Sequence, residues 1–151
     1  MGKKRITREE RYQQLIQCST KIFAKKGYKS TTTKDISKEA GVSEKMIYVH
    51  FKSKKELFLK CLNTIEQDMR DNYRSIMRQY KENPIDCLEK IGIFLFEYLN
   101  KNKYTAGILS LHAREVNDKT IKDEYKKIIG MYADSIEIII KKAIDKGVAH
   151  P

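Results

Sequence analysis

Residues 31–57 read Thr31-Thr32-Thr33-Lys34-Asp35-Ile36-Ser37-Lys38-Glu39-Ala40-Gly41-Val42-Ser43-Glu44-Lys45-Met46-Ile47-Tyr48-Val49-His50-Phe51-Lys52-Ser53-Lys54-Lys55-Glu56-Leu57. Thr32 followed three residues later by Asp35 resembles a capping box, with Asp in the place of the usual Glu, and so predicts a helix start. Ile36 and Ala40 lie one turn apart on a common face, and Gly41 breaks the helix. Val42 can pack inward at the turn. Ser43 is in position to cap a third helix, Glu44 to about His50, in which Ile47 and Phe51 are again one turn apart. Two short helices joined by a few residues around a glycine have the length and grammar of a helix-turn-helix.

The same helical period extends in both directions. Upstream, Thr7 serves as N-cap with Glu9 and Glu10 in the first turn. Leu15, Ile16, Ser19, Ile22 and Phe23 form an apolar stripe, and Gly27 is expected to take the left-handed conformation that stops the helix. Downstream, Leu57, Phe58, Cys61, Leu62, Ile65, Met69, Tyr73, Ile76, Met77 and Tyr80 keep a helical repeat from near Ser53 to about residue 81. Pro84 opens a helix carrying Ile85, Leu88, Ile91, Leu95, Tyr98 and Leu99. A shorter helix is expected over about Tyr104 to Glu115. A last one is expected from Lys119 to Lys146, with Ile121, Tyr125, Ile128, Ile129, Tyr132, Ile136, Ile139, Ile140 and Ala143 inward, and Gly147 stopping it. The predicted fold class is all-α: a helix-turn-helix unit over residues 1–53 followed by a helical bundle over residues 54–151.

Composition agrees with this reading. Glycine and proline number 7 and 2 among 151 residues, too few for a turn-rich sandwich or barrel. No apolar run approaches the roughly 18 residues of a membrane span, and the Met-Gly-Lys-Lys-Arg start has no apolar stretch behind it, so no secretory signal and no membrane partner are expected. Cys18, Cys61 and Cys87 are too few and too scattered for a disulfide framework or metal knuckle, and read as buried thiols of a cytoplasmic protein. The net charge is +11. Residues 1–60 carry 16 Lys/Arg against 6 Asp/Glu, whereas residues 61–151 carry 15 against 14. A basic module joined to a neutral one points to a polyanion, most often nucleic acid.

A helix laid in a major groove presents its N-terminal residues to base edges while its partner helix crosses the backbone. Ser43, Glu44, Lys45, Met46 and Tyr48 occupy the start and face of the third helix. Free amides at the two helix starts, with the Thr32 and Ser43 hydroxyls, can donate to phosphates. Lys54 and Lys55 add cations beside the backbone, and Lys3, Lys4 and Arg5 form a basic tail. About six phosphate contacts would lower affinity roughly a thousandfold between 50 and 200 mM salt.

Over residues 8–58 the pattern Gly27-Tyr28-x-x-Thr31-Thr32-x-x-Asp35-Ile36, Ala40-Gly41-Val42-Ser43, Tyr48-x-His50-Phe51 and Lys54 resembles the DNA-binding domain of TetR-family repressors. The resemblance implies a cytoplasmic transcriptional regulator binding a palindromic double-stranded DNA operator as a homodimer and released by a small-molecule effector. The contacts it implies are Thr32, Thr33, Lys34, Ser43, Glu44, Lys45, Met46, Tyr48, Val49, His50 and Lys54. Lys45 stands where a small residue is common, and either reads guanine or holds a phosphate. Val49 stands where a polar or aromatic residue is common, and either touches a thymine methyl or is silent. His50 is a phosphate contact or a cap of the helix end; no second ligand sits at metal-binding spacing. Tyr28, Ile36, Val42, Ile47 and Phe51 are expected to be core.

The resemblance also implies an effector pocket within the helical body. Candidate lining residues are Met69, Tyr73, Met77, Phe94, Tyr98, Tyr104, His112, Met131 and Tyr132; Met and Tyr at this spacing are equally the filler of a bundle core. Relatives of this kind continue past the equivalent of residue 151 with two further helices that build the dimer interface, so dimerisation is open for this chain. No P-loop, dinucleotide turn, HExxH or nucleophile elbow occurs, so an enzyme is not expected and no cofactor is implied. The alternative is a helical protein-interaction or membrane-surface adaptor using the basic half.

Overall fold

The computed structural model describes residues 6–111 and 116–150. Among them all regular structure is helical: α1 (Arg8–Ser30), α2 (Thr33–Ala40), α3 (Glu44–His50), α4 (Lys54–Gln79), α5 (Pro84–Lys101), α6 (Lys103–Leu111) and α7 (Lys119–Asp145). Each start has a local cause. Glu10 N–H donates to Thr7 Oγ1 at 3.1 Å and Thr7 N–H to Glu10 Oε2 at 2.7 Å, a full capping box. Thr32 and Asp35 repeat the arrangement on α2. Ser53 accepts from Glu56 N–H, Asn83 from Asp86 N–H and Asp118 from Ile121 N–H at the starts of α4, α5 and α7.

Two expectations about helix ends need correction. Gly27 has φ 78° but ψ 164°, so it kinks the chain in an extended, glycine-only conformation, and one further turn follows before Thr31. Ser43 occupies the N-cap place of α3 without capping it. The Met46 N–H that its hydroxyl would accept is taken by the Ser43 carbonyl at 3.0 Å. Gly41, by contrast, sits in the left-handed region (φ 64°, ψ 35°) and ends α2 as expected.

Ile36, Ile47, Phe51, Leu57 and Phe58 are fully buried with Leu15 and Phe23 of α1, while Tyr28 and Val42 pack half-buried against them. Phe23 meets Phe58 edge-on at 4.6 Å between centroids, and Tyr28 lies 4.9 Å from Phe58. The buried cluster continues without a gap through Cys61, Ile65, Met69 and Tyr73 of α4 to Ile91 of α5, Ile108 of α6 and Ile121, Tyr125, Ile128 and Ile139 of α7. α6 lies close on α1: a Cβ at Gly107 would stand 3.2 Å from Ala24 Cβ. The three cysteines are unbridged, Cys61 and Cys87 buried and Cys18 half-buried.

The inward faces of α5 and α7 are narrower than their apolar content suggests. On α7 the buried stripe is Ile121, Tyr125, Ile128, Ser135, Ile139 and Ala143. Ile129 and Ile140, expected inward, are 62% and 43% exposed, because they fall on a neighbouring arc that no described helix covers. Ile85 of α5 is likewise exposed, and Phe96 is 75% exposed.

Carboxylates fasten the head. The Lys26 ammonium, followed by the Thr32 amide and hydroxyl, holds the Asp35 carboxyl well below the ordinary range. Lys21 lowers Glu39 and Lys55 lowers Asp118. Their folded values lie below the unfolded ones, so the stability they contribute is complete above the unfolded value near pH 4 and is lost as pH falls through it towards the folded value. The thermal midpoint, followed by circular dichroism, is expected to fall from about pH 5 downward. Asp35→Asn is expected to melt lower than the parent at neutral pH and to converge with it in acid.

Candidate nucleic-acid interface

α2 and α3 hold the outward face of the head. Ile36 and Ile47 anchor them by their inner sides. Ser43, Glu44, Lys45, Tyr48 and Val49 consequently project outward from α3 and Lys34 from α2. Tyr48 and Val49 are each 54% exposed, an apolar and aromatic pair left bare on a seven-residue helix. Met46 is half-buried at the edge of this face. The Thr33 hydroxyl donates to the Glu44 carboxylate and ties the start of α2 to the start of α3. Thr32 is committed: its hydroxyl donates to Asp35 Oδ2 at 2.8 Å while accepting from the Asp35 N–H. Ser43, relieved of capping, keeps its hydroxyl at the surface.

His50 closes α3 with its ring half-buried beside Tyr12, 6.1 Å between centroids. Burial, and then the nearby Arg8 and Arg11 cations, lower its pKa below the usual imidazole value, which favours the neutral ring in the free chain. A neutral ring can donate one hydrogen bond to a phosphate but brings it no charge.

Two of the expected cations turn elsewhere. Lys54 Nζ donates to the carbonyls of Tyr28 at 2.9 Å and Thr31 at 2.8 Å, and stands 4.5 Å from the centre of the Tyr28 ring. Burial lowers its pKa. In the free chain its ammonium is thus engaged at the corner between α1 and α2. Lys55 Nζ reaches Asp118 Oδ2 at 2.7 Å and Thr120 Oγ1 at 3.3 Å, binding the start of α4 to the start of α7. Local spacing could not reveal either partner. Lys52, part of the basic run at 52–55, and Lys29, which was not among the candidate contacts, are exposed and form no ion pair with the described residues, nor do Lys34 and Lys45. The charge excess of the first 60 residues was the signal for them.

The candidate pocket residues divide. Tyr73, Met77 and Met131 line an open groove of about 660 Å³ between α4 and α7. Tyr98 and Tyr104 line a second cleft, about 600 Å³, bounded by α1, α4, α5 and α6. Burial and a hydrogen bond to Asp68 raise the Tyr98 pKa. Phe94 meets Tyr73 edge-on at 5.4 Å between centroids, Tyr132 lies tilted 5.8 Å from it, and Met69 is buried. His112 and the basic tail of Lys3, Lys4 and Arg5 lie outside the described residues. Among the described residues no cluster of His, Cys, Asp or Glu could hold a metal ion, and no helix is long and apolar enough to cross a membrane.

Comparison with known proteins agrees with this geometry. Residues 15–61 match the family described as "Bacterial regulatory proteins, tetR family". The HTH-type transcriptional regulator QacR of Staphylococcus aureus is 27% identical over 134 residues, covering 85% of this chain and 68% of the relative. The nucleoid occlusion factor SlmA of Vibrio cholerae is 24% identical over 151 residues, covering 99% of this chain and 76% of the relative. The transcriptional regulator FadR of Bacillus subtilis, solved in complex with stearoyl-CoA, superposes with a TM-score of 0.76 at 21% identity, covering 93% of this chain and 74% of that one. Residues 15–61 thus carry the match to the tetR family, and the chain is similar over most of its length to an HTH-type transcriptional regulator.

Proposed function

We propose that this regulator is a repressor that binds a two-fold-symmetric operator as a homodimer and leaves it when a small molecule occupies the helical body. Residues 1–53 form the reading head and residues 54–151 the regulatory body. The observation that carries the reading is the bare outer face of α3, where Lys45, Tyr48 and Val49 project from a helix anchored by Ile47. A helix so held can enter the major groove by its N-terminal end. Lys45 then reaches a guanine edge, Val49 lies against a thymine methyl, and Glu44, oriented by Thr33, can accept from a cytosine amino group. Lys34 and the Ser43 hydroxyl fall to the phosphates.

Release is a population shift: the effector must bind more tightly to a form whose two heads are wrongly spaced for successive grooves. The path into the head is physical. Lys55 joins α4 to Asp118 and Thr120 at the start of α7, and Gly107 brings α6 against Ala24 of α1. The stearoyl-CoA complex of the FadR relative supports a small organic effector.

Footprinting on selected duplexes is expected to show protection of two half-sites about 10 base pairs apart or a multiple of that. Lys45→Ala should relax sequence preference at one position per half-site by about 1–3 kcal/mol if it reads a base. Salt titration separates the cations. Lys34→Met should reduce the slope of log affinity against log salt by about one. Lys54→Met should leave that slope unchanged, lower the thermal midpoint and weaken binding to all sequences alike. A slope change in Lys54→Met equal to that of Lys34→Met would return Lys54 to the phosphates. Absence of any protected half-site would overturn the operator reading.

A further inference from the structure

Residues 1–60 contain six carboxylates, Glu9, Glu10, Asp35, Glu39, Glu44 and Glu56, and five of them serve the head's own structure. Glu10 and Asp35 close the capping boxes of α1 and α2. Glu39 is paired with Lys21, Glu56 accepts from the Lys52 N–H at 2.6 Å, and Glu9 accepts from Gln13 Nε2 at 2.9 Å. Glu44 differs from these. It is exposed at the start of α3, next to Lys45 on the helix that also leaves Tyr48 and Val49 bare, and it forms no ion pair with the described residues. The Thr33 hydroxyl, 11 residues back at the start of α2, donates to its Oε1.

A carboxylate carried into a major groove loses water and meets a wall of phosphates. Only the amino groups of cytosine and adenine can repay it with a donor; guanine N7 and O6 and thymine O4 set acceptors against it. A desolvated charge left unpaired costs more than a paired one gains, so such a group acts mainly by rejecting the wrong base. Rejection requires that the carboxylate cannot swing back into solvent. A glutamate side chain has several free torsions, and a hydrogen bond to its ionised oxygen is of the strong, charge-assisted kind. The Thr33 hydroxyl supplies that bond on Oε1 and leaves Oε2 for a base. Thr33 is itself fixed, half-buried in the first turn of α2 directly after the Thr32–Asp35 capping box.

We propose that Thr33 and Glu44 form a base filter: Thr33 holds the Glu44 carboxylate over one position of each half-site, where it admits cytosine or adenine and rejects guanine and thymine. The proposal rests on the reading of α3 as the helix that enters the groove. It adds that Glu44 gives up affinity to gain selectivity, and that a residue of α2 sets the selectivity of α3. Thr33 is a positioning residue in this filter, and Glu44 is the group that meets the base.

The test selects duplexes from a random-core double-stranded pool with the full chain, then titrates the selected duplex and its single-position variants at one salt concentration. The parent is expected to show one position per half-site restricted to cytosine or adenine on one strand, with the guanine and thymine duplexes bound roughly tenfold more weakly. Glu44→Gln should lift that restriction alone and raise affinity for the guanine and thymine duplexes several-fold. Thr33→Val keeps the branched shape without the donor and should relax the same position, while Thr33→Ser should restore it. A merely structural role for Thr33 would instead lower the thermal midpoint and weaken binding to every duplex without altering preference. A parent with no such restricted position overturns the proposal, as does Glu44→Gln binding all four duplexes more weakly in the same proportion. Parental preference in Thr33→Val overturns it too, since Thr33 would then not position the carboxylate. If the parent selects a two-fold site whose preferences survive in Glu44→Gln and Thr33→Val, the filter falls and the regulator reading stands. If the parent selects no duplex at all, the regulator reading falls and the filter with it.

Discussion

The head depends on what happens to the carbonyl groups where α1 ends. The kink at Gly27 turns the last residues of α1 away from the helix axis, and the Tyr28 and Thr31 carbonyls face the start of α4. Left unpaired at a half-buried corner, such groups cost free energy comparable to lost hydrogen bonds. Lys54 answers both at once, with its stem and ammonium laid against the Tyr28 ring. Thr31, buried, adds its hydroxyl to the Gly27 carbonyl at 2.7 Å. This corner fixes where α2 begins, and the capping box at Thr32 and Asp35, held from outside by Lys26, fixes its direction. α3 then follows α2 through a short turn that Gly41 enters in the left-handed conformation.

Much of this was legible because the determinants are local. A Thr and an acidic residue three apart, a glycine between two short apolar repeats and a Pro after Asn each act within one turn of helix, so their spacing is visible in the chain. Ile36, Ile47 and Phe51 could be assigned to the core for the same reason. What was not legible concerns partners far away in sequence. Lys54 lies 23 and 26 residues from the carbonyls it binds, and Lys55 lies 63 residues from Asp118. In the sequence both look like part of a basic run beside a reading helix. Only the fold distinguishes a cation that holds the protein together from one that remains free, such as Lys34 or Lys45. Ser43 shows a smaller version of the same limit. Its residue type suits a cap, but a tighter first turn uses the carbonyl in place of the hydroxyl.

The body illustrates a different limit. Periodicity locates an apolar helix, but it does not say which arc faces inward when apolar residues occupy more than one. α7 carries isoleucine on its core stripe and on the adjoining arc, and Ile129 and Ile140 fall on the latter. Phe96 and Ile85 do the same on α5. The aromatic and methionine residues are similarly divided. Phe94, Tyr98 and Tyr132 connect to Tyr73 through ring contacts across α4, α5 and α7, and a ring used as packing has the same sequence signature as a ring that lines a cleft.

Head and body share one buried cluster, and that has a consequence for control. No polar layer separates Phe58 from Tyr125, whose rings lie 6.4 Å apart, and Tyr125 donates its hydroxyl to the Ile108 carbonyl at 3.0 Å, joining α7 to α6. α6 in turn lies close against α1, where a Cβ at Gly107 would stand 3.2 Å from Ala24 Cβ. α4 runs from Lys54, next to the head, to Met77 in the groove as a single helix without a proline. Close-packed interiors respond to a change of shape by switching between discrete packings, not by yielding gradually. The ends that α4 and α7 present to the head are tied on both sides, Lys55 holding Asp118 and Lys54 holding the Tyr28 and Thr31 carbonyls. The corner that orients the reading helix is thus made by the residue adjacent to the one that anchors the regulatory helix.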